Sequence, residues 1–353
     1  MHLVERRYKT TKNESVRKLL ISKTQSTRHI TTLTMLTHPL LPILLSSLSS
    51  LISAQSDIPL SPPLQSILSN AFTSPLYTYP TSLTQGIIPK SLHSHNDYWR
   101  PLPFYSALSS GAISIEADVW LYNDTLHVGH EESALTPERT FDALYVQPIL
   151  DVLRRQNPDS DFVLGEDKPT KNGVFDTSAG QTLYLYVDLK TDGEETFPYV
   201  VEALEPLRSA GYLTTFNGTA VTPGAITIIG TGNTPLSQIQ NTSPRDYFYD
   251  APLPYLNTTF SNITSDVSLT ANWAFSNAFG EFRGLELNAS QAETLRMQVE
   301  GAHDKGLLVR YWDTPGWPVG TRNAAWRILW EAGVDLINVD DLQAGANFWE
   351  GRG

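Results

Sequence analysis

A chain of 353 residues with a formal net charge of −12 is long enough for one large α/β domain with an ample core. The charge is uneven: residues 1–34 hold eight Lys/Arg against two Asp/Glu, a net of +6, which leaves −18 for the rest. So acidic a body argues against nucleic acid as a partner, and the absence of cysteine excludes disulfides, zinc–thiolate sites and a thiol nucleophile.

The first 34 residues are Ser/Thr-rich as well as basic and, taken alone, resemble a mitochondrial presequence; a disordered tail ahead of a second start at Met35 is the plainer reading. Residues 35–54 read as a signal peptide or anchor-like segment, with an apolar run from Leu40 to Ile52 followed by the small residues Ser53 and Ala54. Serines and Pro42 break that run, which is too short and too polar for a membrane span. The expected location is the secretory pathway or the cell exterior, with mitochondrial import as the alternative. Six Asn-x-Ser/Thr sequons, at Asn123, Asn217, Asn241, Asn257, Asn262 and Asn288, are then expected on surface loops of a glycoprotein. Residues 55–85 form a Pro/Ser/Thr-rich arm, and residues 86–353 the folded domain.

Within that domain strand and helix signals alternate. Residues 90–95 predict a short strand, and residues 101–110 a helix opened by proline and stopped by Gly111. Residues 112–121 alternate apolar and polar side chains, which predicts a strand with Glu116 and Asp118 on one face. Residues 125–128 predict a further short strand, and 140–156 an amphipathic helix with Leu144, Ile149, Val152 and Leu153 as its apolar stripe. Residues 159–180 are polar and Gly/Pro-punctuated, and predict a loop. Strands follow at 182–189, 225–229, 247–250, 268–275, 307–312 and 336–339, and helices at 195–210, 290–305 and 321–332; residues 231–245 read as a connection. About eight core strands separated by helices imply a parallel sheet, and the count and length suit a closed (β/α)8 TIM barrel. An open doubly wound sheet is the alternative, but no Gly-x-Gly-x-x-Gly turn follows the first strand.

Barrel sites lie at the C-terminal ends of the strands. His95 and Asn96 end the first predicted strand, Glu116 and Asp118 the second, and His130 follows the short strand after it. Asp188 and Lys190 end the next, Arg310 and Trp312 the seventh, and Asp340 and Asp341 the eighth. Each is unremarkable alone; Asp340 and Asp341 read best as solvated acids. Together they suit phosphodiester cleavage. A Mg²⁺ ion, or Ca²⁺, held by Glu116, Asp118 and Asp188 would neutralise phosphate charge. Lys190 would stabilise the developing oxyanion, two histidines would share proton transfer, and Trp312 would offer a flat wall for a choline-like cation or an apolar group.

His95, Glu116-x-Asp118, His130 and Asp188-x-Lys190, with Trp312 near the C-terminus, resemble the phospholipase-C-like phosphodiesterase superfamily, especially its sphingomyelinase D and glycerophosphodiester phosphodiesterase branches. The stretches 93–100, 114–119, 128–130, 185–193 and 336–342 are most similar to the fungal altered-inheritance-of-mitochondria protein 6 family. The resemblance implies a barrel of this type with His95 and His130 as the acid–base pair, Glu116, Asp118 and Asp188 as metal ligands, and Lys190 on phosphate. His95-Asn96 and His130-Glu131 depart from the His-Arg-Gly and His-Asp of glycerophosphodiesterases, which puts those diesters in doubt as substrate. The His-Asn pair is similar to that of phosphatidylinositol-specific phospholipase C, where the Asn lies near the metal, so Asn96 joins Trp312 as a candidate substrate-binding residue. His93 shares a strand face with His95, and the following Asn96 favours His95.

The expected partner is a phospholipid or other phosphodiester substrate, with peripheral membrane contact and no obligate protein partner. Two further readings remain: a glycoside hydrolase using paired carboxylates, for which Glu116 and Asp118 stand too close on one strand, and a non-catalytic barrel that holds a ligand or partner.

Overall fold

The computed structural model describes residues 61–162 and 171–349. The basic extension, the signal-like segment and the start of the arm lie outside the described residues, as do residues 163–170 of the polar loop. The strands in chain order are β1 (Lys90–Ser94), β2 (Ala112–Tyr122), β3 (Thr125–Val128), β4 (Leu183–Leu189), β5 (Thr215–Phe216) and β6 (Val221–Thr222). They continue with β7 (Ile226–Gly232), β8 (Phe248–Pro252), β9 (Ser268–Ala274), β10 (Leu308–Trp312) and β11 (Leu336–Val339). Eight run parallel in the order β1-β2-β4-β7-β8-β9-β10-β11, and β11 pairs back onto β1, so the wall closes on itself. This is the expected (β/α)8 barrel. β3 folds back antiparallel on β2, and β5 with β6 makes a separate two-stranded ribbon.

Parallel barrel strands are covered on both faces, which is why β11 reads Leu-Ile-Asn-Val and is buried throughout. The helices are α1 (Pro62–Ser69), α2 (Tyr105–Ser109), α3 (Gln147–Gln156), α4 (Gly193–Ala203) and α5 (Glu205–Ser209), then α6 (Leu236–Gln240), α7 (Phe275–Phe279), α8 (Ala289–His303), α9 (Val319–Glu331) and α10 (Leu342–Trp349). Ile149 and Leu153 of α3, Leu295 and Val299 of α8, and Trp326 and Leu329 of α9 are buried in the core. Asn288 and Gln291 form a reciprocal capping box that starts α8.

Several predicted elements change length for local reasons. The helix expected at residues 101–110 shrinks to α2, because Pro101 and Pro103 lack amide donors and Phe104 sits at a φ of 64°. The helix expected over 140–156 opens with a π-helical stretch, Asp142–Val146, before α3. The one expected over 195–210 divides into α4 and α5, with Pro206 at the start of the second. The connection at 231–245 contains α6, and α1, α10 and the β5–β6 ribbon are further elements that periodicity left unmarked.

The described part of the arm is tied to the end of the barrel opposite the strand C-termini. Thr84 is fully buried and accepts from the Gln156 amide, Thr81 donates to Asp176, and Thr177 donates to the carbonyl of Ile87. Gly111, just ahead of β2, lets this segment approach: a Cβ there would lie 2.3 Å from the Ile88 carbonyl oxygen, and its φ of 82° suits glycine.

Candidate active site

A cavity of about 450 Å³ opens at the C-terminal ends of the barrel strands, and His95, Asn96, Glu116, Asp118, His130, Asp188, Lys190 and Trp312 all line it. Every site residue predicted from the sequence therefore reaches one cavity. Period-two alternation on β2 turns Glu116 and Asp118 inward, and the β2–β4 register sets Asp118 directly beside Asp188. Oxygens of Glu116, Asp118 and Asp188 lie within 4.8 Å of one another.

Glu116 is buried beside two imidazoles and a guanidinium. Its Oε2 accepts the Asn96 backbone N–H at 3.3 Å and lies 3.6 Å from His93 Nε2 and 3.7 Å from His95 Nε2, while Arg310 Nη2 is 4.0 Å from Oε1. Burial works against its charge, but His93, His95 and Arg310 hold the carboxyl well below the usual range. Asp118 behaves oppositely: burial and the Glu116 charge push it up to about 7, with Lys190 opposing. Asp188 is raised too, chiefly by burial. Lys190 Nζ bridges the pair, 2.9 Å from Asp118 Oδ2 and 2.8 Å from Asp188 Oδ2, and this pairing raises the ammonium pKa despite burial.

The donor set fits a hard divalent cation. Three carboxylates from two adjacent strands have a spacing compatible with one ion having oxygen distances of about 2.0–2.6 Å. Burial first, and then the Glu116 charge, push Asp118 up, and a doubly charged ion beside the three acids is the chemistry that would relieve both.

The two candidate histidines enter from different elements. His95 leaves β1 into a turn made by Asn96, whose φ of 50° is a left-handed conformation that asparagine tolerates. His95 Nδ1 lies 2.8 Å from Asp340 Oδ1; burial opposes protonation, but Asp340 and Glu116 raise the imidazole pKa overall. Arg100 locks this turn by donating to the His95 carbonyl at 2.9 Å and the Asp340 carbonyl at 2.5 Å. His130 follows β3, and the preceding Gly129 carbonyl accepts from Trp120 Nε1 at 2.6 Å. Trp99 packs edge-on against the His130 ring at 5.1 Å between centroids.

His93 has a different place from His95. It is fully buried, its Nδ1 is 2.7 Å from Ser114 Oγ, and its Nε2 takes a hydrogen bond from Arg310 at 2.6 Å. Burial and Arg310 lower its pKa to about 3, so it is a neutral bracket for the guanidinium. The reading of Asp340 and Asp341 as simply solvated does not hold: Asp340 bonds His95, and Asp341 pairs with Arg322 at 3.0 Å and accepts from the Ala344 backbone at 3.0 Å. Sequence reasoning passed over Tyr98 and Asn272 as site residues, and placed Arg310 on the rim without a role. Asn272 accepts from Trp312 Nε1 at 3.0 Å and steadies the indole on the cavity wall. A polar residue at an inward position of a buried strand was the available signal for Asn272.

Residues 81–250 match the family model described as the AIM6-like phosphodiesterase domain. The chain is 52% identical over 300 residues to the altered inheritance of mitochondria protein 6 homolog of Arthroderma benhamiae, covering 82% of this chain and 93% of that protein. It is 36% identical over 273 residues to altered inheritance of mitochondria protein 6 of Eremothecium gossypii, covering 73% of this chain and 69% of that protein. Against the Saccharomyces cerevisiae protein of the same name it is 32% identical over 282 residues, covering 74% and 71%. Among solved structures, a glycerophosphoryl diester phosphodiesterase from Parabacteroides distasonis matches over 76% of this chain and 90% of its own, at 14% identity and a TM-score of 0.40, too distant a likeness to bear on substrate. The chain belongs to the altered inheritance of mitochondria protein 6 family and carries that family's phosphodiesterase domain.

Proposed function

We propose that the protein is a phosphoric diester hydrolase or lyase, dependent on Mg²⁺ or Ca²⁺, that acts on a phospholipid or glycerophospho-type diester by two-histidine acid–base catalysis. The observation that supports this most is the convergence of two imidazoles, three carboxylates and a lysine on one cavity. Glu116, Asp118 and Asp188 would hold the cation, which when bound supplies positive charge against the phosphate. Lys190 spends two of its N–H donors on Asp118 and Asp188 and keeps the third for a phosphate oxygen. His95 and His130 each engage a neighbour through Nδ1 and turn Nε2 to the cavity, that of His95 lying 3.7 Å from Glu116 Oε2. One imidazole takes the proton from the attacking hydroxyl or water, and the other returns a proton to the leaving oxygen. Trp312, half-exposed on the wall, would face the headgroup, and Asn96, which lines the same cavity, would contact the substrate.

The test is phosphorus NMR of products from a mixed phospholipid and glycerophosphodiester panel, with and without Mg²⁺. Metal-dependent turnover that disappears in folded His95→Ala and His130→Ala proteins is the expected result. Full activity in both variants would sink the assignment. A cyclic phosphate product marks attack by a substrate hydroxyl, and a phosphomonoester marks attack by water. For location, the relatives' names concern mitochondria and fit the mitochondrial alternative, whereas residues 35–54 favour the secretory pathway. Imaging of a C-terminally tagged full chain against markers of both compartments separates them.

A further inference from the structure

Tyr98 takes no part in the proposed chemistry, yet its hydroxyl sits between Asp118 of the acidic cluster and His130. The left-handed turn at Asn96 starts a 3-10 turn, Asp97–Trp99, and drives the Tyr98 ring into the barrel mouth, where 2% of its surface stays exposed. The Arg139 guanidinium holds the Tyr98 carbonyl at 2.6 Å and so fixes the backbone from behind. The hydroxyl then has three polar neighbours: Asp118 Oδ2 at 2.7 Å, His130 Nδ1 at 3.0 Å, and the Asn96 side-chain oxygen, closer still.

A tyrosine hydroxyl has one hydrogen to give. Two of its three neighbours face it with oxygens that accept, the Asn96 amide oxygen and the Asp118 carboxylate in the ionised form that a bound cation requires. Whichever of them receives the hydrogen, only lone pairs are left for His130, so the imidazole must be the donor in that contact. The opposite arrangement would place the Tyr98 oxygen against two acceptor oxygens with no hydrogen between them, where donation to Asp118 or Asn96 leaves only one such contact, and each costs free energy in a buried site. In the neutral ring a hydrogen on Nδ1 means none on Nε2.

We infer that Tyr98 is a positioning residue: by directing its single hydroxyl hydrogen to acceptor oxygens, it locks His130 in the tautomer whose Nε2 is bare and free for proton transfer in the cavity. The ring contacts serve the same end. Tyr98 stacks on His130 at 6.3 Å with 21° between planes, and Trp99 closes the edge, so the imidazole is held in both tautomer and direction. In this role a tyrosine does for His130 what the Asp340 carboxylate does for His95 through the corresponding nitrogen. A neutral partner adds no negative charge beside the three acids. The inference extends the proposed phosphodiesterase reading, but its structural half stands apart from it.

The test uses the full chain labelled with ¹⁵N-histidine, in Mg²⁺ buffer, with the His130 signals assigned by their loss in His130→Gln. Wild-type protein is expected to show a protonated, pyrrole-like Nδ1 and an unprotonated, pyridine-like Nε2 at His130. In Tyr98→Phe the His130 signals should move to mixed tautomers. Its kcat, read at saturating Mg²⁺, should fall about 10- to 100-fold with KM for the diester changed by no more than about threefold. A wild-type His130 with its hydrogen on Nε2 overturns the inference whether or not the variant folds. So does a Tyr98→Phe protein that keeps the wild-type tautomer, or one that loses it with kcat unchanged. If no diester is turned over by wild-type protein, the phosphodiesterase reading falls, and the tautomer spectrum still decides the role of Tyr98.

Discussion

Two neighbouring aspartates after β11 have different work. Asp340 holds His95 by its ring nitrogen, whereas Asp341 begins α10 and pairs with Arg322. Asp340→Ala removes the acceptor that orients His95, so kcat against a chromogenic phosphodiester is expected to fall about 10- to 100-fold. Asp341→Ala should leave kcat within about twofold and lower stability by about 0.5–2 kcal/mol through the lost cap, read by urea denaturation. Equal activity in the two variants would remove Asp340 from the site. Lys190 is more exacting: Lys190→Met leaves Asp118 and Asp188 without their ammonium, and loss of both phosphate contact and charge balance predicts a fall in kcat of at least about 100-fold. Sequence alone pointed to Lys190 because it closes a strand two residues after an acid; it could not show that the lysine serves acids on two strands.

At the scale of elements, the end of β7 controls the shape of the neighbouring carboxylate. Gly232 has a φ of 64°, and a Cβ there would lie 2.0 Å from Asp188 Oδ1. Gly232→Ala therefore both strains the backbone and displaces a proposed metal ligand. The expected outcome is weaker Mg²⁺ binding by calorimetry, about tenfold or more, with a modest loss of thermal stability. Gly280, with nothing within 4 Å of a built Cβ but a similar φ of 70°, is the control: Gly280→Ala should cost stability by about 1 kcal/mol and leave Mg²⁺ binding unchanged. The helices illustrate how far pattern reading goes. α8 was legible to within two residues of each end, with Gly306 as its stop, whereas α2 was overextended because Pro101 and Pro103 lack amide donors and Phe104 takes a positive φ.

For the whole molecule, the barrel interior carries charge that is expensive to bury, and this makes stability depend on pH. Asp250 on β8 is pushed up to about 6 by burial, against the pull of Arg310, and Asp97 is raised to about 6, also by burial. The ordinary value for both is 3.8, so between these values the folded chain keeps protons that the unfolded chain releases. A raised carboxyl contributes stability that is present below its unfolded pKa and is lost as pH rises through its folded pKa. Asp250→Asn removes that dependence at one site. Relative to wild type, the variant should gain about 1–3 kcal/mol between pH 4 and pH 7.5 in chemical denaturation, whatever its absolute stability. A constant difference across that window would show that Asp250 titrates normally.

The sequence by itself determined the strand-and-helix rhythm, the barrel, and the rim on which polar residues gather, because burial on both faces forces parallel strands to be apolar and makes each exception visible. It also supplied the histidines, acids, lysine and tryptophan that line the cavity, since those residue types close strands. Only the tertiary structure decided which partner each one has. His95 and Asp340 are 245 residues apart, and Arg310 and His93 217 apart; no local pattern encodes such pairs, which come together only because β11 closes onto β1 and β10 lies beside β11. Tyr98 was hidden for the same reason. A tyrosine after a strand is ordinary until the fold carries its hydroxyl group between Asp118 and His130.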